Sequence, residues 1–157
     1  MLGRRSSVDN LAAHLAVTKQ KGLQAALYIA YLLSRHGFRV LVPYGEDARY
    51  DLVSEKHGIF KRIQVKHVSS RHGALTVQLR SANNYQTIHY SPEDVNVIAA
   101  YNPEDLKVYF VPRNEIANKS CLNLRLAGCR NGQKRCVIWA ADYEFRFDLL
   151  ESIVRPV

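Results

Sequence analysis

Between positions 18 and 36 the apolar residues recur three and four apart, and after Gly37 the spacing shortens to every second position. Leu23, Ala26, Leu27, Ala30 and Leu33 define the first pattern. They predict an amphipathic helix over residues 19–35, opened by Thr18, buried along that stripe and closed by a left-handed cap at Gly37. Upstream, Ser7 or Asp9 is placed to cap a short separate helix to Ala16, with Leu11, Ala12 and Leu15 as its stripe. Downstream the alternation predicts strands. Residues 38–42 form the first and Pro43 ends it. Residues 50–53 and 60–66 form a hairpin turning at Lys56, His57 and Gly58. Residues 74–80 follow a second turn at Arg71, His72 and Gly73. The segment 81–92 is polar and reads as a loop. Strands at 95–100 and 107–111 flank the Asn102-Pro103-Glu104-Asp105 turn. A single helical turn at 112–116, an exposed-edge strand at 122–126 and a short helix within 143–154 complete the list. The last presents Phe147, Leu149, Leu150 and Ile153. No repeat, low-complexity tract or linker interrupts the chain. The pattern gives one α/β domain over residues 1–157 with a mixed sheet, residues 1–17 being a helical extension.

Composition narrows this picture. The chain has 157 residues, of which 47% are hydrophobic, enough for one cored domain. Its formal net charge of +8 suits a polyanionic partner, nucleic acid before an acidic membrane surface. No apolar stretch follows the basic start Met1-Leu2-Gly3-Arg4-Arg5, and no run approaches a membrane span, so a cytoplasmic location is expected. Cys121, Cys129 and Cys136 are odd in number and form no C-x-x-C, which leaves free thiols as the simplest account. Phosphate-binding, dinucleotide-binding, nucleophile-elbow and H-E-x-x-H motifs are all missing.

The chemistry concentrates on the first hairpin. Alternation along residues 60–66 sends Ile63 and Val65 to one face and Arg62, Gln64 and Lys66 to the other. The hairpin then sets Asp51 beside Gln64 and Lys66. A carboxylate, an amide oxygen and an ammonium at one strand edge suit a hard divalent cation and a phosphate. The bland alternative is a surface aspartate paired with Arg49 or Arg62, and two polar residues on the wet side of a half-buried strand.

Asp51 followed thirteen positions later by Gln64-Val65-Lys66 resembles the PD-(D/E)XK nuclease motif, with glutamine in place of the second acid. Gly22, Gly37-Phe38-Arg39-Val40, Pro43-Tyr44-Gly45 and Arg49-Tyr50-Asp51-Leu52-Val53 extend the resemblance. So do Val108-Tyr109-Phe110-Val111-Pro112, Asn131-Gly132-Gln133 and Trp139-Ala140-Ala141-Asp142-Tyr143. Together they are similar to the PD-(D/E)XK endonucleases associated with group I introns. The resemblance implies a restriction-endonuclease-like core, with a mixed central sheet flanked by helices. It implies Mg2+ (or Mn2+) held by Asp51, Gln64 and the Val65 carbonyl, and Lys66 serving the attacking water or the phosphate. Family members also offer an acid from the first helix. Residues 19–35 contain none here, leaving Gln20 and Gln24 as the candidates.

Double-stranded DNA is the partner implied. Lys19, Lys21, Arg49, Lys61, Arg62, His67 and Arg71 are the expected DNA contacts along the first half. His57, His67 and His72 are expected to add charge below neutral pH. Gln78, Arg80, Asn83, Asn84 and Gln86 can read base edges or form only a polar loop. Tyr85 and Tyr90 stack or pack, and Trp139 and Tyr143 are assigned to the core. Cutting both strands with one site per subunit calls for a dimer or tetramer. A Holliday-junction or repair nuclease of the same fold, a DNA-binding protein with a decayed site, and an RNA-binding protein are the rival readings.

Overall fold

The computed structural model describes residues 7–45, 47–83, 86–89, 91, 93–116, 119–128 and 137–152, with backbone alone at 7–12, 81–83, 86–89 and 116. Glu46, Asn84, Tyr85, Tyr90, Cys129, Cys136, Ile153 and the 131–133 segment lie outside the described residues.

The two expected N-terminal helices are one. Helix α1 runs unbroken over Ser7–Arg35. Thr18 does not cap it, because its hydroxyl donates back to the His14 carbonyl one turn earlier, at 3.0 Å. Gly37 does end it: φ is +79°, and the Phe38 N–H returns to the Leu33 carbonyl. The buried stripe is rotated from the expected one. Ala25, Ile29 and Leu33 are fully buried, while Leu23 and Leu27 are 60% and 63% exposed. The helix carries apolar residues around most of its circumference, so spacing alone offered two stripes and the sheet selected one.

That sheet contains β1 (Arg39–Leu41), β2 (Leu52–Lys56), β3 (Ile59–His67), β8 (Val97–Asn102) and β9 (Lys107–Pro112), in the order β1-β2-β3-β8-β9. Only β3 and β8 run parallel. A second sheet has the order β11-β10-β5-β4, from β4 (Ser70–Arg71), β5 (Ala74–Gln78), β10 (Cys121–Arg125) and β11 (Ile138–Trp139). Strand β10 is therefore interior to its sheet and not the exposed edge expected from its alternation. Residues 81–92 are not wholly loop either: β6 (Arg80–Asn83) and β7 (Gln86–His89) pair as a two-stranded ribbon.

Helix α1 and the short α2 (Asp148–Glu151) cover one face of the first sheet, and the second sheet covers the other. Residues of β8 alternate between these two cores. Val97, Ala99 and Tyr101 face the helices, while Ile98 and Ala100 face the second sheet. This explains why β8 is buried at every position. Each large apolar side chain removed from water here contributes roughly 1.5–3 kcal/mol. The outer edge of β9 is covered by the chain near Tyr143 and Phe145, whose backbone groups bond Phe110 and Val108. Trp139, expected in the core, is 39% exposed because β11 is a two-residue edge strand; Tyr143 packs against the core as expected. Among the described residues no helix is long and apolar enough to cross a membrane.

Two hairpins use the same turn. His57 and Gly58 have φ of 54° and 78°, and His72 and Gly73 have 50° and 71°. Both central residues are left-handed, which matches the twist of the strands they join. The β2–β3 turn fixes the register Leu52↔Ile63, and that register places the candidate site.

Candidate active site on the β3 edge

Strand β3 outruns its partner. Its last pair with β2 is Leu52↔Ile63, yet β3 continues to His67. Beyond that pair the β3 backbone needs another hydrogen-bond acceptor on its β2 side. Asp51 supplies it. Its own N–H donates to the Ile63 carbonyl at 2.9 Å, and its Oδ2 accepts the Val65 N–H at 2.6 Å. The same oxygen accepts Gln64 Nε2 at 2.6 Å. Lys66 lies on the same face as Gln64, and its Nζ donates to the Arg80 carbonyl at the start of the ribbon, 3.3 Å away. The structure thus brings Asp51, Gln64 and Val65 into direct contact, with Lys66 one pleat further.

Burial raises the Asp51 pKa above its ordinary 3.8, although the Val65 N–H and then the Lys66 charge pull it down. The carboxylate is taken from water further than its fixed donors and its nearest cation offset. A bound cation would supply that missing charge. Two hydrogen bonds occupy Oδ2, so Oδ1 is left to coordinate. The Gln64 amide turns its nitrogen to Asp51 and leaves its oxygen free for the same purpose. The donor set fits a hard divalent ion completed by waters. It holds one carboxylate, and among the described residues no group of three or more His, Cys, Asp or Glu occurs.

The remaining expected residues divide by place. Lys19, Gln20, Lys21 and Gln24 are exposed on α1. Lys21 is close enough to His67 to help lower the imidazole pKa, burial being the larger cause. This brings that turn of α1 to the His67 end of β3. It also corrects the expectation for His67, which stays neutral to lower pH than an ordinary histidine. Lys61 is a second correction. It is 5% exposed and shares its face of β3 with Ile63 and Val65, under the helices. Arg62, one residue on, points to the opposite face, so the two basic residues cannot serve one surface.

Arg49 pairs with Asp94 at 3.7 Å, and Arg62 is held by Asn96, whose Oδ1 accepts the Arg62 N–H at 2.8 Å. Asp94 and Asn96 were not singled out by sequence. Ser91-x-x-Asp94 carried a readable signal: each side chain accepts the other's N–H in a reciprocal cap. That bonding, opposed by burial and aided by Arg49 and Arg62, lowers the Asp94 pKa. Asn96 acts across strands and left no local signal. Arg71, Gln78 and Arg80 are exposed. Asn83 and Gln86 face each other as the last pair of the ribbon, and Asn84 falls outside the described residues.

A family model described as PD-(D/E)XK endonuclease matches residues 16–146. Among solved structures, a bacterial homing endonuclease, I-Ssp6803I, is similar at 27% sequence identity with a TM-score of 0.69. The match covers 84% of this chain and 91% of that one. No curated protein matches. The family match spans α1 from residue 16 onward, both sheets and the edge where Asp51, Gln64, Val65 and Lys66 meet, and on these grounds the chain belongs to the PD-(D/E)XK endonuclease family.

Proposed function

We propose that this protein is a metal-dependent, site-specific endonuclease that cuts both strands of duplex DNA, in the manner of a homing endonuclease. The observation that carries the reading is the Asp51 carboxylate, desolvated, held by the Gln64 amide and the Val65 N–H, and flanked by Lys66. Asp51, Gln64 and the Val65 carbonyl are the groups to hold Mg2+ or Mn2+. When bound, the ion supplies Lewis acidity and lowers the pKa of water. The chain's own part is positional. The Val65 N–H and the Gln64 amide fix the Asp51 carboxylate in one orientation. Lys66 holds a positive charge where the phosphate gathers negative charge in the transition state. Its bond to the Arg80 carbonyl keeps that ammonium at the base of the ribbon.

Lys19 and Lys21 on α1, Arg49 and Arg62 on the β3 side, and Arg71 give phosphate contacts without sequence information. A two-stranded ribbon is narrow enough for a major groove, and β6–β7 carries Arg80, Asn83 and Gln86. The similarity to a protein described as a homing endonuclease supports a long target. One site per chain supports self-association as a dimer or tetramer on a two-fold target. The deciding experiment is digestion of a randomised duplex library with Mg2+ and with EDTA, wild type beside Lys66→Ala. One long consensus cut only with Mg2+ and Lys66 is expected; cutting by Lys66→Ala at the wild-type rate overturns the site.

A second reading has one observation behind it. The site holds a single carboxylate, and residues 19–35 of α1 contain no acid, leaving Gln20 and Gln24 as the candidates there. A DNA-binding protein with a decayed site would select a bound sequence from the same library and leave it intact.

A further inference from the structure

The helix-covered side of the sheet, away from Asp51, holds an ionisable group that the nuclease reading does not use. Lys61 is 5% exposed, and among the described residues it has no carboxylate, carbonyl or ring partner. Burial alone lowers its pKa below the ordinary 10.5. The long apolar stem is what the core buries; the ammonium at its tip is not among the buried polar atoms and opens toward solvent. Lys61 lines a cleft of about 150 Å³ between the start of β8, the turn at Arg113–Ile116 and α2.

The other polar walls of the cleft suit an anion. Asn96 spends its Oδ1 on Arg62, which leaves its amide N–H2 to donate. Asn114 is exposed at the rim; the Ser152 hydroxyl donates to the Leu149 carbonyl at 3.2 Å and so is not one of the donors. Glu115 is the one acid in the lining, and its carboxylate accepts the Tyr143 hydroxyl at 3.0 Å. A volume of this size admits one tetrahedral oxyanion and excludes a duplex backbone running through it.

We propose that Lys61, Asn96 and Asn114 form a binding site for a single phosphate group, separate from the catalytic edge. The charge and donors match a phosphate dianion, and binding would supply the counter-charge that the fold omits. The group arrives either as a free phosphate or phosphomonoester, or as one DNA phosphate presented at the rim.

The test uses the full chain in chloride and in inorganic phosphate at equal ionic strength, comparing wild type, Lys61→Met and Asn114→Ala. Lys61→Met keeps the long apolar stem and removes the ammonium. With phosphate near a hundred times its Kd, wild-type Tm is expected to rise by about 5 °C or more. The rise is expected to vanish in Lys61→Met and to shrink in Asn114→Ala. An equal rise in all three proteins, or no rise in wild type, overturns the proposal. Duplex binding separates the sources. If Lys61→Met loses the phosphate response with unchanged DNA affinity, the ligand is a free phosphate. If duplex affinity falls several-fold as well, the phosphate is carried on DNA. None of these readouts involves cleavage, so failure here is distinct from failure of the nuclease reading.

Discussion

At the scale of single residues, Gln64 is the most informative departure. Its amide nitrogen sits 2.6 Å from an Asp51 oxygen, a contact that glutamate cannot make as an anion. Gln64→Glu is expected to be tolerated for cleavage when Mg2+ is present, because the ion compensates the second charge. Without metal the two carboxylates share a proton, and their pKa is raised above the ordinary range. The stabilising proton is present at low pH and lost as pH rises through that raised value. Metal-free Gln64→Glu should therefore melt close to wild type near pH 4 and lower than wild type at pH 8, by the equivalent of about 1–3 kcal/mol. Identical melting at pH 8 would remove the Gln64–Asp51 bond from the account. Asp51→Ala and Lys66→Ala are expected to abolish cleavage and keep duplex affinity within a few-fold, measured by gel shift. Lys61 has the opposite sign from the acid pair. Its folded pKa lies below 10.5, so the unfolded chain binds more protons between the two values. Wild type is then expected to gain stability relative to Lys61→Met as pH rises across that window; no change in that difference would remove the Lys61 shift.

Elements make their own predictions. The residues that face the sheet from α1 are Ala25, Ile29 and Leu33, not Leu23 and Leu27. Leu27→Lys is expected to leave Tm within about 2 °C of wild type, as exposed substitutions do. Ile29→Ala is expected to cost about 2–5 kcal/mol by opening a cavity against the sheet. Reversal of that order in a thermal melt would return the helix to the stripe its spacing first suggested. At the β2–β3 hairpin, Gly58 holds φ +78°. Gly58→Ala should cost about 1–2 kcal/mol, although a Cβ there meets nothing within 4 Å. The β2, β3, β8 and β9 strands and both His-Gly turns were legible, because alternation and turn chemistry are local. The unbroken α1 was not, since Thr18 found an acceptor on the preceding turn. The β6–β7 ribbon was not either, because its polar residues carry no alternation of hydrophobicity.

For the whole molecule, the arrangement is three layers: helices, a five-stranded sheet and a four-stranded sheet. The Asp51 edge lies where β3 extends past β2 and meets the ribbon, and the Lys61 cleft lies under the helices. With a net charge of +8, duplex affinity should fall steeply with salt, by orders of magnitude between 50 and 200 mM if six or more phosphates are neutralised. Replacing Arg62 should reduce the slope of log K against log[salt] by about one, while Lys61→Met should leave it unchanged if its phosphate is a free one. Sedimentation with and without target DNA reads the assembly; a monomer in both conditions would argue against the two-fold mode of cutting.

The sequence alone determined where Asp51, Gln64 and Lys66 stand relative to one another. A thirteen-residue offset across a tight His-Gly turn admits one register, and period-two alternation then places Gln64 and Lys66 on one face beside Asp51. These are short-range geometric constraints, and no distant contact can undo them without breaking the hairpin. Tertiary structure decided what each face meets. It chose which stripe of α1 is buried and made β10 an interior strand. It also sent Lys61 beneath the helices while its neighbour Arg62 faces the other way. Burial is a property of the partner surface, and that surface is assembled from segments far apart in the chain.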